Sequence, residues 1–402
     1  MERRLLAALA LLLAASVAGA ALYLSTLPGA PSGQAHVAGN ASQPAAPQSG
    51  NTTQLAGQGE AANTSQGAPP SGQQAGETTP GSHNASAAAP GVEEGAGGSG
   101  AGNATPGGPL NGTPVNKTPG LRERVRSWAI QLQDADPGAV ASSGFDLVVM
   151  DYSRDGSDEG AYTRAQIEAI KEAGVIPVAY LSIGEAEDYR FYWREEWSSS
   201  PPPWLGPENP EWRGNYAVRY WNRRWKAIVF KYLDKIIAQG FAGVYLDKVD
   251  EYEYWAEHGV SEEWAAREMI KFILEIARYA REKAGPGFIV IPQNGETLLD
   301  YDNGSLLAAV SGWASEDVFY DGLEPSPWTK EKVPRLDRVV KAGKPVLVVD
   351  YVDDGSRSRA DMARILDFRE KALAHGYVPY AALVDRELDE LNIIPGVQPP
   401  RG

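Results

Sequence analysis

From residue 127 onward, short apolar runs alternate with longer amphipathic ones to the end of the chain. The short runs are rich in β-branched and aromatic residues. They read as strands at 127–133, 145–153, 176–185, 241–249, 288–294, 308–314, 345–351 and 378–384. Apolar positions at helical spacing predict helices over 163–173, 220–239, 261–283, 330–341 and 358–374. Gly174, Gly240, Gly343 and Gly376 stand just past four of these helices, where a left-handed residue commonly ends one. Eight strands with intervening helices predict an α/β domain, a single (β/α)8 TIM barrel. The runner-up is an open doubly wound sheet, which would use a glycine-rich first turn that this domain lacks.

The pattern is different before residue 120. An apolar run, broken by little more than Ser16, extends from Leu5 to Leu24 and is long enough to span a bilayer as a helix. Ala18, Gly19 and Ala20 also suit signal-peptide cleavage, so residues 1–24 read as a membrane anchor or a signal segment. Residues 25–120 are dominated by Gly, Ala, Ser, Thr, Pro, Gln and Asn, a composition that forms no core and predicts a disordered linker. Seven Asn-x-Ser/Thr sequons lie there, at Asn40, Asn51, Asn63, Asn84, Asn103, Asn111 and Asn116. Together they suggest a glycosylated stalk carrying the 121–402 domain outside the cell, either secreted or held at the surface. No Phe, Tyr or Trp occurs between Leu24 and Ser127, so the folded mass begins after the stalk.

The strand ends carry the candidate chemistry. In a barrel of this kind the active site forms at the C-terminal ends of the strands. Gln133, Asp151, Tyr152, Arg154, Glu185, Tyr189, Arg190, Tyr245, Asp247, Asn294, Glu296, Asp350 and Tyr351 all fall at or near such ends. Val244 and Leu246 share one face of their strand, while Tyr245 and Asp247 share the other. Asp247 and Glu296 each follow a core strand at a parity that points inward, so they are the candidate catalytic pair. Two carboxylates flanking a scissile bond are the equipment of a glycosidase. Asp250, Glu253 and Asp317 suit structural roles, as helix caps or ion-pair partners. The long connection after the third strand holds Trp193, Trp197, Trp204 and Trp212, and Trp221 follows it. These rings suit either stacking on sugars or packing of the loop itself.

Charge and rare residues narrow the alternatives. The net charge is −15, about −13 of it in the folded part, which argues against nucleic acid, whose phosphates demand a basic surface. No cysteine is present and only His258 and His375 lie in the folded part, so no metal centre or cofactor is expected. A metal-dependent deacetylase and a serine hydrolase are disfavoured for the same reason. The remaining rival is a non-catalytic glycan-binding or cell-envelope protein on the same barrel.

The motifs Gln131-Leu-Gln133, Asp151-Tyr-Ser-Arg-Asp-Gly156 and Ile183-Gly-Glu-Ala-Glu-Asp-Tyr-Arg190 resemble the endo-α-1,4-polygalactosaminidase family, glycoside hydrolase family 114. So do Asn209-Pro210, Gly214-Asn-Tyr216, Tyr220-Trp221, Gly243-Val-Tyr-Leu-Asp247 and Pro292-Gln-Asn-Gly-Glu296. The resemblance covers the folded part and implies internal cleavage of α-1,4-linked galactosamine or N-acetylgalactosamine polymers by a retaining mechanism. It implies Asp247 as nucleophile and Glu296 as acid/base. The sequence departs from the family at Ala242 and Lys248, which flank Asp247. Asp151, Glu185 and Asp350 are then expected to hold sugar hydroxyls or the ammonium of a cationic aminosugar. Tyr152, Arg154, Tyr189, Arg190, Trp221 and the remaining strand-end residues complete the expected substrate site.

Overall fold

The computed structural model describes residues 120–400. The expected anchor or signal segment, the linker and its sequons lie outside the described residues. Among the described residues no helix is long and apolar enough to cross a membrane.

Eight parallel strands run through the domain: β1 (Trp128–Gln131), β2 (Leu147–Met150), β3 (Ile176–Ser182), β4 (Gly243–Asp247), β5 (Ile289–Pro292), β6 (Trp313–Glu316), β7 (Val346–Asp353) and β8 (Val378–Leu383). The first five form one sheet in chain order and the last three form another. A parallel bridge between Gln293 and Ala314 links β5 to β6. Across the other gap, the Trp128 indole donates to the Val378 carbonyl at 2.8 Å, linking β1 to β8. Lateral neighbours Tyr180, Tyr245 and Ile291 share one face, as parallel register requires. Trp128, Tyr245 and Tyr380 meet ring to ring on this inner face and are all but fully buried.

The helices lie close to the predicted bounds, at Arg164–Glu172, Arg223–Gln239, Glu262–Ala284, Thr329–Lys341 and Arg359–Ala374. Local chemistry explains their ends. Thr163 and Gln166 form a reciprocal capping box, and Asn222, Ser261 and Ser358 each accept a backbone N–H from the first turn. Gly240 closes Arg223–Gln239 with φ 92, a conformation that a side chain would strain.

The sixth strand differs from its prediction. The Ala308-Ala309-Val310 run belongs to a short helix, Ser305–Ala309, and its exit, whereas β6 begins at Trp313 and ends on Glu316. Ala and Leu favour helix wherever the fold gives the segment no neighbouring strand to pair with. The long connection after β3 folds into a small antiparallel sheet of Glu185–Glu187, Asn215–Val218 and Leu205–Glu208. Its tryptophans pack the loop down: Trp193 meets Trp197, Trp197 meets Trp204, and Trp204 meets Trp225 of the helix that follows.

Candidate active site

Asp247 ends β4 on the inner face and is half-buried. The Tyr180 hydroxyl, from the adjacent strand, donates to its Oδ2 at 2.6 Å. Burial pushes the Asp247 carboxyl up to about 7, against the Lys248 ammonium and the Tyr180 hydrogen bond, which favour the charged form. Glu316, at the end of β6, adds to the upward push and therefore stands within electrostatic reach.

Glu316 is held in a matching way. The Tyr351 hydroxyl on β7 donates to its Oε1 at 2.5 Å, and the Asn294 amide donates to its Oε2 at 3.2 Å. The Asn294 side-chain oxygen accepts the Glu316 backbone N–H at 3.0 Å. Below, the Lys332 ammonium donates to the Glu316 carbonyl at 2.8 Å and fixes the end of the strand. Tyr245 sits beneath both acids. Its fully buried hydroxyl has no hydrogen-bond partner, and burial first, then the Glu316 and Asp247 carboxylates, push its pKa well above the ordinary tyrosine value.

Glu296, the expected partner of Asp247, is held by another group. It is buried and accepts the hydroxyl of Ser315, on the opposite face of β6 from Glu316, where Lys332 of the covering helix also reaches. The cause lies one turn of chain earlier. Asn294 and Gly295 both have φ 56, and two successive left-handed residues break the strand alternation that pointed Glu296 inward. The sixth strand was expected at 308–314, leading to Glu316; the observed β6 ends on Glu316 itself, as β4 ends on Asp247.

Three other expected ligands hold partners within the protein. Asp151 is 5% exposed, with Oδ2 on Arg190 at 2.6 Å and Oδ1 on the Ser153 amide at 3.0 Å; burial raises it to about 6. Glu185 takes the Asn209 amide at 2.8 Å, the Asn215 amide at 3.2 Å and the Lys248 ammonium at 3.1 Å. Asp350 is wholly buried and accepts the backbone N–H groups of Val318, Phe319 and Tyr320, each at 2.8 Å. These acids shape loops around the site, and their oxygens are already engaged.

The remaining candidates divide similarly. Arg190 is buried between Asp151 and Glu187, and Tyr189 lies over its guanidinium at 4.7 Å with the hydroxyl on Glu187. Tyr189 is nonetheless 46% exposed and offers a ring face at the site's edge. Tyr152 is turned away, packed on Phe191 and Tyr232 with its hydroxyl on the Gly156 carbonyl. Gln133 donates to the Glu387 carbonyl and ties down the loop after β8. The Arg154 side chain is exposed on the loop after β2. Trp221 packs edge-on against Trp255 and Trp264, at the start of a helix on the outer layer. Arg386 chelates Asp317 and lies over the Tyr351 ring at 4.2 Å, supporting the tyrosine that holds Glu316. Among the described residues no group of three His, Cys, Asp or Glu side chains could hold a metal ion.

Parallel α/β strands that deliver two inward carboxylates at their C-terminal ends define a class of glycan-cleaving domains. The chain belongs to glycoside-hydrolase family GH114, whose pattern matches residues 111–397. An uncharacterized protein of Methanocaldococcus jannaschii is 60% identical over 268 residues, covering 66% of this chain and 78% of that protein. One from Thermotoga maritima is 54% identical over 291 residues, covering 71% of this chain and 89% of that protein. In fold, the chain resembles the glycoside hydrolase domain of PelA from Pseudomonas aeruginosa, at 22% identity and TM-score 0.51, covering 67% of this chain and 98% of that one. It also resembles Aspergillus fumigatus Ega3, solved in complex with galactosamine, at 17% identity and TM-score 0.50, covering 67% of this chain and 96% of that one.

Proposed function

We propose that this protein is an endo-acting glycosidase of α-1,4-linked galactosamine or N-acetylgalactosamine polysaccharide, exported and displayed on a glycosylated stalk. Its two sheets form one (β/α)8 barrel, with the site at the strand ends. The observation that carries this reading is the pairing of Asp247 and Glu316. Both sit at inward strand ends, and each is held by a tyrosine hydroxyl from a neighbouring strand. Asp247 attacks the anomeric carbon while Glu316 protonates the leaving oxygen; Glu316 then takes a proton from the water that releases the sugar. The sugar ring of the complexed neighbour supports an aminosugar substrate.

The test is release of reducing ends from α-1,4-linked galactosamine polymers, acetylated and partly deacetylated, by the full-length protein. Oligomers whose first-formed ends are α anomers by proton NMR are expected, since retention preserves the configuration of the α bond. Absence of cleavage by folded protein sinks the activity, and a β product replaces retention by inversion.

The pH profile follows from the raised Asp247. Attack requires the ionised form, so on an N-acetylated substrate Asp247 sets the rising acid limb of kcat/KM, displaced above the ordinary carboxylate range toward about 7. Tyr180→Phe removes a donor that favours that form and moves the rising limb to higher pH. A limb centred near the ordinary carboxylate range, or one unmoved in the variant, contradicts this account.

A further inference from the structure

The acids around the catalytic pair are already engaged by the protein's own cations and amides, and this bears on the charge of the sugar. Arg190 bridges Asp151 and Glu187, and Arg386 chelates Asp317. Backbone amides occupy both oxygens of Asp350. Lys248, immediately after Asp247, places its ammonium 3.1 Å from Glu185 and 4.0 Å from Glu251. Asn209 and Asn215, from the inserted sheet, hold Glu185 toward that ammonium.

Lys248 is fixed there by its backbone as well as its charge. Its φ is 59, in the left-handed region that residues with side chains rarely adopt. A Cβ on Gly184 would stand 2.1 Å from the Lys248 carbonyl oxygen, so only glycine lets the β3 loop press against it. The Lys248 side chain is 27% exposed, whereas those of Glu185 and Glu251 are 3% exposed. A ligand therefore meets the ammonium and not the carboxylates behind it. Asp250 also faces Lys248 and Lys332, which leaves Asp247 and Glu316 for the reacting bond.

We infer that Lys248 fills an acidic cradle with a built-in ammonium, so that the subsite at Asp247 selects an N-acylated aminosugar over one with a free, protonated amine. The inference rests on the glycosidase reading of Asp247 and specifies its substrate. A substrate ammonium placed there would be repelled by Lys248, and the Glu185 and Glu251 carboxylates lie buried behind that ammonium.

The experiment uses the full-length protein and matched α-1,4-linked galactosamine oligomers, N-acetylated or with free amines. At pH 6, where the amine is protonated, kcat/KM is expected to favour the acetylated oligomer by at least about tenfold. The preference narrows at pH 8.5 as the amine loses its charge, persists in Lys248→Arg, and collapses in Lys248→Met. Equal or better use of the free amine at pH 6, or a preference that survives Lys248→Met, overturns the inference. The wild-type ratio and its pH dependence decide the matter even where Lys248→Met fails to fold. Failure of the glycosidase reading is seen separately, as cleavage of neither oligomer. Calorimetric binding of the two trimers to wild type and Lys248→Arg then reads the charge preference, and equal affinities reject it.

Discussion

Asp247→Asn and Glu316→Gln are each expected to lower kcat/KM by about 10³-fold or more, whereas Glu296→Gln keeps turnover within about tenfold of wild type. The difference follows from which face of β6 each glutamate meets. Glu316 lies on the inner face with Asp247, held by Tyr351 and Asn294. Glu296 accepts the Ser315 hydroxyl on the outer face, so its loss acts on packing. Loss of activity in Asp247→Asn is separable from loss of fold. A carboxyl raised to about 7 in the folded state stabilises below its unfolded value, and that contribution is lost as pH rises through about 7. The neutral amide escapes that penalty, so Asp247→Asn melts at or above the wild-type temperature at pH 8. Kinetics on all three variants, with melting curves beside them, check both halves. Inactivity of Glu296→Gln with full activity of Glu316→Gln returns the acid/base role to Glu296.

The second large effect is on stability. Arg190→Met is expected to cost about 3–5 kcal/mol, because it leaves two buried carboxylates without their cation. The side chains of Arg190, Asp151 and Glu187 are 1%, 7% and 2% exposed, so water cannot replace the lost partner. For a domain of this size the loss corresponds to a fall in Tm of about 10 °C. The sign of its pH dependence is fixed by Asp151, already raised to about 6 by burial despite Arg190. Without the guanidinium it rises further, so protonation at pH 5 relieves the unpaired charge and the deficit is smaller there than at pH 8. Adding Asp151→Asn and Glu187→Gln to Arg190→Met recovers much of the loss. Thermal melts of these variants at the two pH values test the account, and a fall of under about 2 °C at pH 8 refutes it.

Three of the expected ligands hold protein partners for a common reason. Asp151, Glu185 and Asp350 were read as ligands because each follows an apolar strand, and strand ends are where such sites form. Their partners arrive from elsewhere: Arg190 from the loop after β3, Asn209 and Asn215 from the inserted sheet, and the amides of Val318–Tyr320 from the loop after β6. Each carboxylate is matched by a group 24 to 39 positions away: Arg190 reaches Asp151 across 39, Asn209 and Asn215 reach Glu185 across 24 and 30, and Val318 reaches Asp350 across 32. No local pattern encodes such a match.

The sequence by itself determined the elements whose signals are local. Alternation along 243–247 put Tyr245 and Asp247 on one face, and β4 keeps that alternation through to Asp247. Helical spacing and the caps at Thr163, Asn222, Ser261, Ser358 and Gly240 set the helix bounds. Tertiary structure alone decided which way Glu296 turns and which acids are already held by distant partners. A pair of left-handed residues after β5 reverses the side a chain presents, and 308–310 becomes helix or strand according to what packs beside it. Side-chain parity is a property of neighbouring residues, whereas charge pairing depends on which distant loops the fold brings together.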